Sequence, residues 1–217
     1  EFAFGRSVRC GFCAKARANT VAARLNACGY CSCLAVCVVR AEYDRYDVAG
    51  RWWSAETLFY RDGFGHVGVD TIRDESGCSK TTLYTHFGSK ENLIAEVLKY
   101  RDLKFRESLL TDIGENTSGF EAIVTIFEWH RKWFTQESFN GCLFIRAAAE
   151  FHDEHAKIVD IVLVHKEWIR NFIHQKIEQY PDAQDKADQL FIILEGLISV
   201  HTIYKTDKIR CDAFMAH

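Results

Sequence analysis

Residues 77–93, Gly-Cys-Ser-Lys-Thr-Thr-Leu-Tyr-Thr-His-Phe-Gly-Ser-Lys-Glu-Asn-Leu, predict a short helix between two turns, with a second helix directly after it. Ser79 and Ser89 stand where N-caps are expected, because a serine hydroxyl accepts a hydrogen bond from a free N–H of the first helical turn. Between these serines only Leu83 and Phe87 are strongly apolar, so the helix buries one narrow stripe. Its other face carries hydrogen-bond donors of moderate length: Lys80, Thr81, Tyr84, Thr85 and His86. This profile is typical of a helix that lies in the major groove of DNA.

The residues before this helix complete a helix-turn-helix pattern. Asp70 predicts the N-cap of a helix that buries Ile72, and Gly77 supplies the sharp turn after it. Farther upstream, an apolar stripe ends at the helix stop Asp-Gly-Phe of residues 62–64. That stripe consists of Ala55, Leu58 and Phe59. Three short helices are therefore expected before residue 90.

Three segments, residues 55–64, 67–72 and 79–93, resemble the DNA-binding domain of the tetracycline-repressor (TetR) family in their order and spacing. The resemblance covers about residues 54–100, is weaker over 141–204 and is absent over 1–50. It implies contacts with base edges from Lys80, Thr81 and Thr85. It also implies contacts with DNA phosphates from the side chains of Thr71, Tyr84, His86 and Lys90.

The composition gives no general attraction to nucleic acid. The 217 residues carry a net charge of −3, and within residues 51–101 seven Lys and Arg balance seven Asp and Glu. Any DNA affinity must therefore come from a local patch. No apolar run approaches about 18 residues, so we expect no membrane span and a cytoplasmic protein. No catalytic arrangement or Gly-rich phosphate loop is visible, and we expect neither an enzyme nor a bound cofactor.

Residues 1–50 differ from the rest of the chain, because six of the nine cysteines lie in the first 37 residues. Cys10-x2-Cys13 and Cys28-x2-Cys31 approximate the spacing of a four-thiolate zinc site. The stretch nevertheless begins Glu-Phe without an initiating Met, and it does not fit the family pattern. We favour an atypical, non-native or disordered leader over a zinc module.

Apolar residues recur at helical spacing from about residue 89 to 204, and no segment alternates with period two for long. The sequence therefore predicts an all-α fold of about nine helices. We expect a three-helix DNA-binding head over 51–98, a regulatory and dimerisation body over 99–205, and a tail over 206–217.

The last two helices of the body are strongly apolar, and the second is apolar on more than one face. A second copy of the chain would bury such faces in a four-helix bundle, which is where the family dimerises. A dimer would also place two heads in successive major grooves, about 34 Å apart. The predicted interface residues are Ile169, Leu190, Leu194, Gly196, Leu197 and Ile198.

Aromatic residues in the body could line a cavity for a small, largely apolar effector, although aromatic residues at helical spacing are also common in plain cores. The candidates are Phe127, Trp129, His130, Trp133, Phe144, Phe151, Trp168 and Phe172. Glu150, His152, Asp153 and His155 crowd one helix end, but we interpret them as exposed charges and expect no metal. Cys78 and Cys142 are interpreted as small core residues rather than redox sensors.

These patterns predict a ligand-responsive transcriptional repressor that binds operator DNA as a homodimer and is released by its effector. The alternative is a helical protein that binds small molecules but has little DNA affinity, because its head carries no net positive charge. Salt-dependent binding to promoter DNA would distinguish the two.

Overall fold

The computed structural model describes residues 51–114, 117–151 and 155–204. The described residues form eight α-helices and no strand, which confirms the all-α prediction and comes close to its nine helices. The helices are α1 (Arg51–Asp62), α2 (Val69–Ser76), α3 (Lys80–Phe87), α4 (Lys90–Ile113), α5 (Gly119–Phe134), α6 (Leu143–Glu150), α7 (Ala156–Ile177) and α8 (Ala183–Tyr204). The predictions for the leader, the tail and the side chains of His152 and Asp153 lie outside the described residues.

Local capping fixes the ends of the head helices. The Ser79 hydroxyl accepts a hydrogen bond from the Thr82 N–H at 3.1 Å, and Ser89 accepts one from Asn92 at 3.1 Å. Gly77 has a φ of +65°, a left-handed conformation that favours glycine. The two turns predicted on either side of α3 are therefore present, at the residues from which they were predicted.

The prediction that Asp70 caps α2 was wrong, because Gly68 holds the N-cap position and makes no side-chain cap bond. Asp70 lies in the first turn, where a carboxylate is favourable to the helix dipole. Its side chain instead pairs with Arg73 and Lys80, at 2.7 Å each.

The head does not have a core of its own. Phe59, Phe64 and Ile72 are fully buried, and they belong to one apolar cluster with Leu143 and Phe144 of α6. The same cluster includes residues of α7 and the first half of α4. The boundary predicted at 98/99 lies inside α4, which runs unbroken through 24 residues. The head and the body therefore share both a core and a continuous helix.

A second cluster fills the rest of the body, between the C-terminal half of α4 and helices α5, α7 and α8. Leu109, Ile126, Ile173 and Leu194 lie at its centre and are fully buried. Among the described residues, none of the helices combines the length and apolar content that a membrane crossing requires.

Candidate nucleic-acid interface

Helix α3 presents its predicted reading face to solvent. Leu83 is the one buried residue of this eight-residue helix. Tyr84 is 51% exposed although it is a large aromatic residue. The other predicted contacts on α3 are also exposed: Lys80, Thr81, Thr85 and His86. Five candidate side chains are thus held outward by one short helix that is capped at its N-terminus.

The Thr85 hydroxyl already has a partner for its hydrogen, because it donates to the Thr81 carbonyl oxygen at 2.7 Å. Its oxygen lone pairs and its methyl group remain for outside contacts. A threonine in this state can accept a hydrogen bond from an amino group on a base edge, or contact a thymine methyl. Thr85 is therefore suited to discriminating between bases.

Lys80 is held by an ion pair with Asp70, at 2.7 Å between Nζ and the carboxylate. The Lys80 hydrogen bond is the main cause that lowers the Asp70 pKa. Both side chains are about half exposed, so solvent screening keeps this pair weak. The Lys80 ammonium group can therefore exchange Asp70 for another anionic partner.

The remaining two candidates lie on neighbouring helices. Thr71 is exposed on α2, close in sequence to the α2–α3 turn. Lys90 begins α4 and is half-buried, with its Nζ donating to the Phe64 carbonyl oxygen at 2.7 Å. Lys90 thus fixes the loop after α1 to the start of α4, a role that the sequence did not predict.

The C-terminus of α1 is held by residues from the body. Asn140 Nδ2 donates to the Tyr60 carbonyl oxygen at 2.8 Å, and Arg146 donates to the same oxygen at 2.9 Å. The Asn140 N–H also donates to the Tyr60 hydroxyl at 2.8 Å. These bonds satisfy a carbonyl that the helix end leaves without an intrahelical partner. We call Asn140, Arg146 and Glu150 the α6 clamp.

Glu150 completes the clamp at the loop after α1. Its carboxylate accepts hydrogen bonds from the backbone N–H groups of Gly65 at 2.7 Å and Phe64 at 3.3 Å. Gly63, which has a φ of +88°, lies close enough that an added Cβ would be 3.2 Å from the Glu150 carboxylate. Glu150 is exposed at the end of α6, as predicted, and its carboxylate also binds the loop after α1, which was not predicted.

Tyr60 joins the head to the aromatic residues of the body. Its hydroxyl is hydrogen-bonded by the Trp133 side chain, and the Arg101 guanidinium lies 4.1 Å from its ring centroid. Burial raises the pKa of the Tyr60 hydroxyl, and Arg101 opposes that shift. Tyr60 is therefore a neutral donor and acceptor between the two parts of the chain.

The eight aromatic candidates for an effector site do not form one group. Phe144 and Phe151 lie in the cluster shared with the head, where Phe151 contacts Phe64 with ring centroids 5.4 Å apart. Four of the others belong to the second cluster, namely Phe127, Trp129, Trp133 and Phe172, and Trp168 packs against it. The His130 ring lies next to the Trp129 ring of this cluster. Phe105, which the sequence did not single out, contacts Trp129, His130 and Trp168. His165, which the periodicity places on the apolar stripe of α7 but which was not among the site candidates, stacks on Phe144.

The predicted dimer residues also divide into two sets. Ile169, Leu194 and Ile198 pack inside the chain's own core, with at most 3% of each exposed. Leu190 and Leu197 are half-buried, and Gly196 is exposed with nothing within 4 Å of an added Cβ. The exposed apolar side chains of α7 and α8 lie at other positions, namely Leu163, Val164, Ile192, Ile203 and Tyr204.

Comparison with known proteins agrees with this geometry. Residues 54–97 match the family model described as "Bacterial regulatory proteins, tetR family". No curated protein matches the chain. A TetR-family transcriptional regulator from Streptomyces coelicolor has a similar structure, with a TM-score of 0.67 and 24% identity over 71% of this chain and 82% of that one.

Two further solved structures share the fold. A TetR transcriptional regulator from Chloroflexus aurantiacus gives a TM-score of 0.64 at 21% identity, over 72% of this chain and 84% of that one. One from Legionella pneumophila gives 0.63 at 22% identity, over 72% and 87%. Residues 54–97 therefore match the model of the tetR family of bacterial regulatory proteins, and the described helices share the fold of TetR-family regulators.

Proposed function

We propose that this chain is a transcriptional repressor that binds operator DNA as a homodimer and is released by a small, largely apolar effector. The observation that carries the proposal is the α3 face, where five polar side chains point outward from a helix with one buried residue. A helix of this size, cap and polarity fits the major groove. The family match of residues 54–97 supports the same role.

Base contacts are assigned to Lys80, Thr81 and Thr85, and phosphate contacts to Tyr84, His86, Lys90 and Thr71. The head has no excess of positive charge, since seven basic residues balance seven acidic ones over residues 51–101. Each lysine near α3 therefore matters more than it would in a strongly basic domain. Lys80 is the more accessible of the two, because Lys90 is half-buried.

The homodimer is proposed to form through α7 and α8. Ile192 is 68% exposed on α8, while Leu163 and Val164 are 53% and 56% exposed on α7. Apolar side chains exposed together on two long helices are expected to be covered by a partner. Gly196 would allow a second backbone to approach closely, because it has no side chain. A second copy of the chain fits this face, since it would bring two α3 helices to one operator.

Effector release is proposed to act through α6. This helix contributes to the core of the head and carries the clamp residues Arg146 and Glu150, which bind the backbone of α1 and the loop after it. A shift of α6 would therefore move the head. The effector need only favour one of two α6 positions to change the spacing of the two heads.

DNA binding is tested with promoter DNA next to the gene and a scrambled duplex of equal length, using fluorescence anisotropy at several salt concentrations. Lys80→Ala should weaken promoter binding by about tenfold, because one groove contact is lost. Lys99→Ala is the matched control, since Lys99 is 42% exposed and paired with Glu96, much as Lys80 is 46% exposed and paired with Asp70. Equal effects of the two substitutions would contradict the assignment of α3 as the reading helix.

The dimer is tested by sedimentation equilibrium. Ile192→Glu should convert the protein to a monomer, because a carboxylate would be buried at the centre of the proposed interface. Phe120→Glu is the control, since Phe120 is 69% exposed on α5, outside both interface helices. A wild-type monomer, or a dimer that survives Ile192→Glu, would refute this interface.

The charge balance of the head favours the second candidate function, a helical protein that binds small molecules and has little DNA affinity. The promoter-binding assay described above distinguishes the two functions. Wild-type protein that binds the promoter no better than the scrambled duplex, yet binds apolar ligands, would establish the second.

A further inference from the structure

The ring of His130 lies wholly inside the body. The residue is 1% exposed, and its Nδ1 is 2.8 Å from the Ile126 carbonyl oxygen in the preceding turn of α5. A carbonyl oxygen can only accept, so Nδ1 carries the hydrogen. Burial lowers the His130 pKa to about 4, and the ring is therefore neutral near pH 7. Nε2 is then left as an acceptor with a free lone pair.

This lone pair has no hydrogen-bond partner among the described residues. A buried acceptor in that state costs about 1–3 kcal/mol, so native structures rarely keep one without a reason. Four aromatic rings surround the His130 ring, with centroids between 4.9 and 6.3 Å away. They belong to Phe105, Trp129, Trp133 and Phe134.

The surrounding rings cannot supply the missing donor. Phenylalanine has no polar hydrogen, and both indole N–H groups are used elsewhere. Trp129 Nε1 donates to the Ser108 hydroxyl at 3.1 Å, and the Trp133 side chain bonds the Tyr60 hydroxyl. Lys166, the nearby cation, is held by both carboxylate oxygens of Glu195 at 2.7 Å. The donor for Nε2 must therefore come from outside this set.

The aromatic rings around His130 restrict the class of ligand that can carry this donor. A carboxylate ligand offers no hydrogen at neutral pH and would face the lone pair with another acceptor. A cation beside Nε2 would be repelled by the Lys166 ammonium group, whose charge also contributes to lowering the His130 pKa. A neutral aromatic molecule with one hydroxyl satisfies both the lone pair and the rings. Phe105 and Trp168 are only half-buried, so the cluster reaches the surface at their side.

We propose that the aromatic cluster around His130 binds a small, neutral, phenol-like ligand whose hydroxyl donates a hydrogen bond to His130 Nε2. The regulatory meaning of this site depends on the proposed function, whereas the binding itself does not. Phe105 contacts both His130 and His165, and His165 stacks on Phe144 of α6 at 3.6 Å. The ligand would therefore lie two side chains from the helix that carries the clamp.

The test compares phenol with toluene, which has the same ring and similar size but no donor. Binding to the full chain is followed by tryptophan fluorescence, because Trp129 and Trp133 border His130. Wild-type protein should bind phenol about tenfold more tightly than toluene, the ratio expected for one buried hydrogen bond. His130→Phe should lose this preference and bind toluene more tightly than phenol, by about tenfold, because the phenol hydroxyl would be buried without an acceptor. His130→Phe should also keep its melting temperature, since it removes an unsatisfied polar atom.

A second measurement needs no variant. The ¹⁵N resonance of His130 Nε2 in wild-type protein should shift on addition of phenol and remain in place with toluene. Equal binding of the two ligands, binding of neither, or a phenol preference that persists in His130→Phe would overturn the proposal. Promoter binding is measured separately without ligand, so failure of the DNA-binding function would leave this result intact.

Discussion

Helix α3 and the cluster around His130 handle polar atoms in opposite ways. On α3 the polar side chains face water and Leu83 alone is buried. In the cluster, an imidazole is enclosed by aromatic rings and one of its nitrogens has no partner among the described residues. Exposed groups can recognise a large partner at little cost to folding. A buried lone pair can recognise only a molecule that enters the fold, so recognition there is tied to stability.

The largest expected effect is the pH dependence of the free energy of unfolding, which arises from two buried histidines of the body. Burial lowers the pKa of His130 and of His165 to about 4, and for His165 this outweighs its hydrogen bond to Asp102. Both histidines stay neutral in the native state, whereas an unfolded chain takes up protons below about pH 6.5. The contribution of these two histidines to the free energy of unfolding is therefore fully present above pH 6.5 and is lost as the pH falls towards 4. The slope approaches about 1.4 kcal/mol per pH unit for each histidine.

Urea unfolding between pH 7 and pH 5 measures this slope while most carboxylates remain ionised. His130→Phe should reduce the slope by about half, because one of the two buried imidazoles is removed. An unchanged slope in this variant would mean that His130 does not remain neutral in the folded protein.

A smaller effect is expected at the N-cap of α3. Ser79→Ala removes the bond that the hydroxyl accepts from the Thr82 N–H, and should lower the free energy of unfolding by about 1 kcal/mol. Promoter affinity should fall as well, because the first turn of α3 carries Lys80 and Thr81. Thr57→Ala, at an exposed position of α1, is a suitable control for urea unfolding and anisotropy. A large loss of stability with unchanged DNA binding would separate the cap from the reading face.

The head could be predicted from the sequence because its determinants are local. Ser79, Gly77 and Ser89 each act within a few residues of their own position, so their spacing reveals the turns. The error at Asp70 was one of position, because α2 begins at Val69 and Gly68, which has no capping side chain, is its N-cap. The sequence shows a helix start reliably only where a side chain actually caps it, as at Ser79 and Ser89.

The clamp and the His130 site could not be found in the same way. Glu150 and Gly65 are 85 positions apart in the chain, and no periodic pattern joins them. The unsatisfied Nε2 of His130 depends on where two indole N–H groups point, which is a property of packing. In the sequence His130 is one of eight candidates for the effector site, and only the assembled core distinguishes it from the rest.

The shared core of head and body has a consequence for evolution and for engineering. Phe59 and Phe64 bury themselves against α6, and the end of α1 depends on hydrogen bonds from Asn140 and Arg146. A head taken from another protein of this fold would bring its own α3 but would meet a foreign α6. Functional chimaeras of this protein should therefore carry residues 140–150 together with the head. The two segments are distant in sequence, but we expect that they must be transferred together for the head to fold and bind DNA.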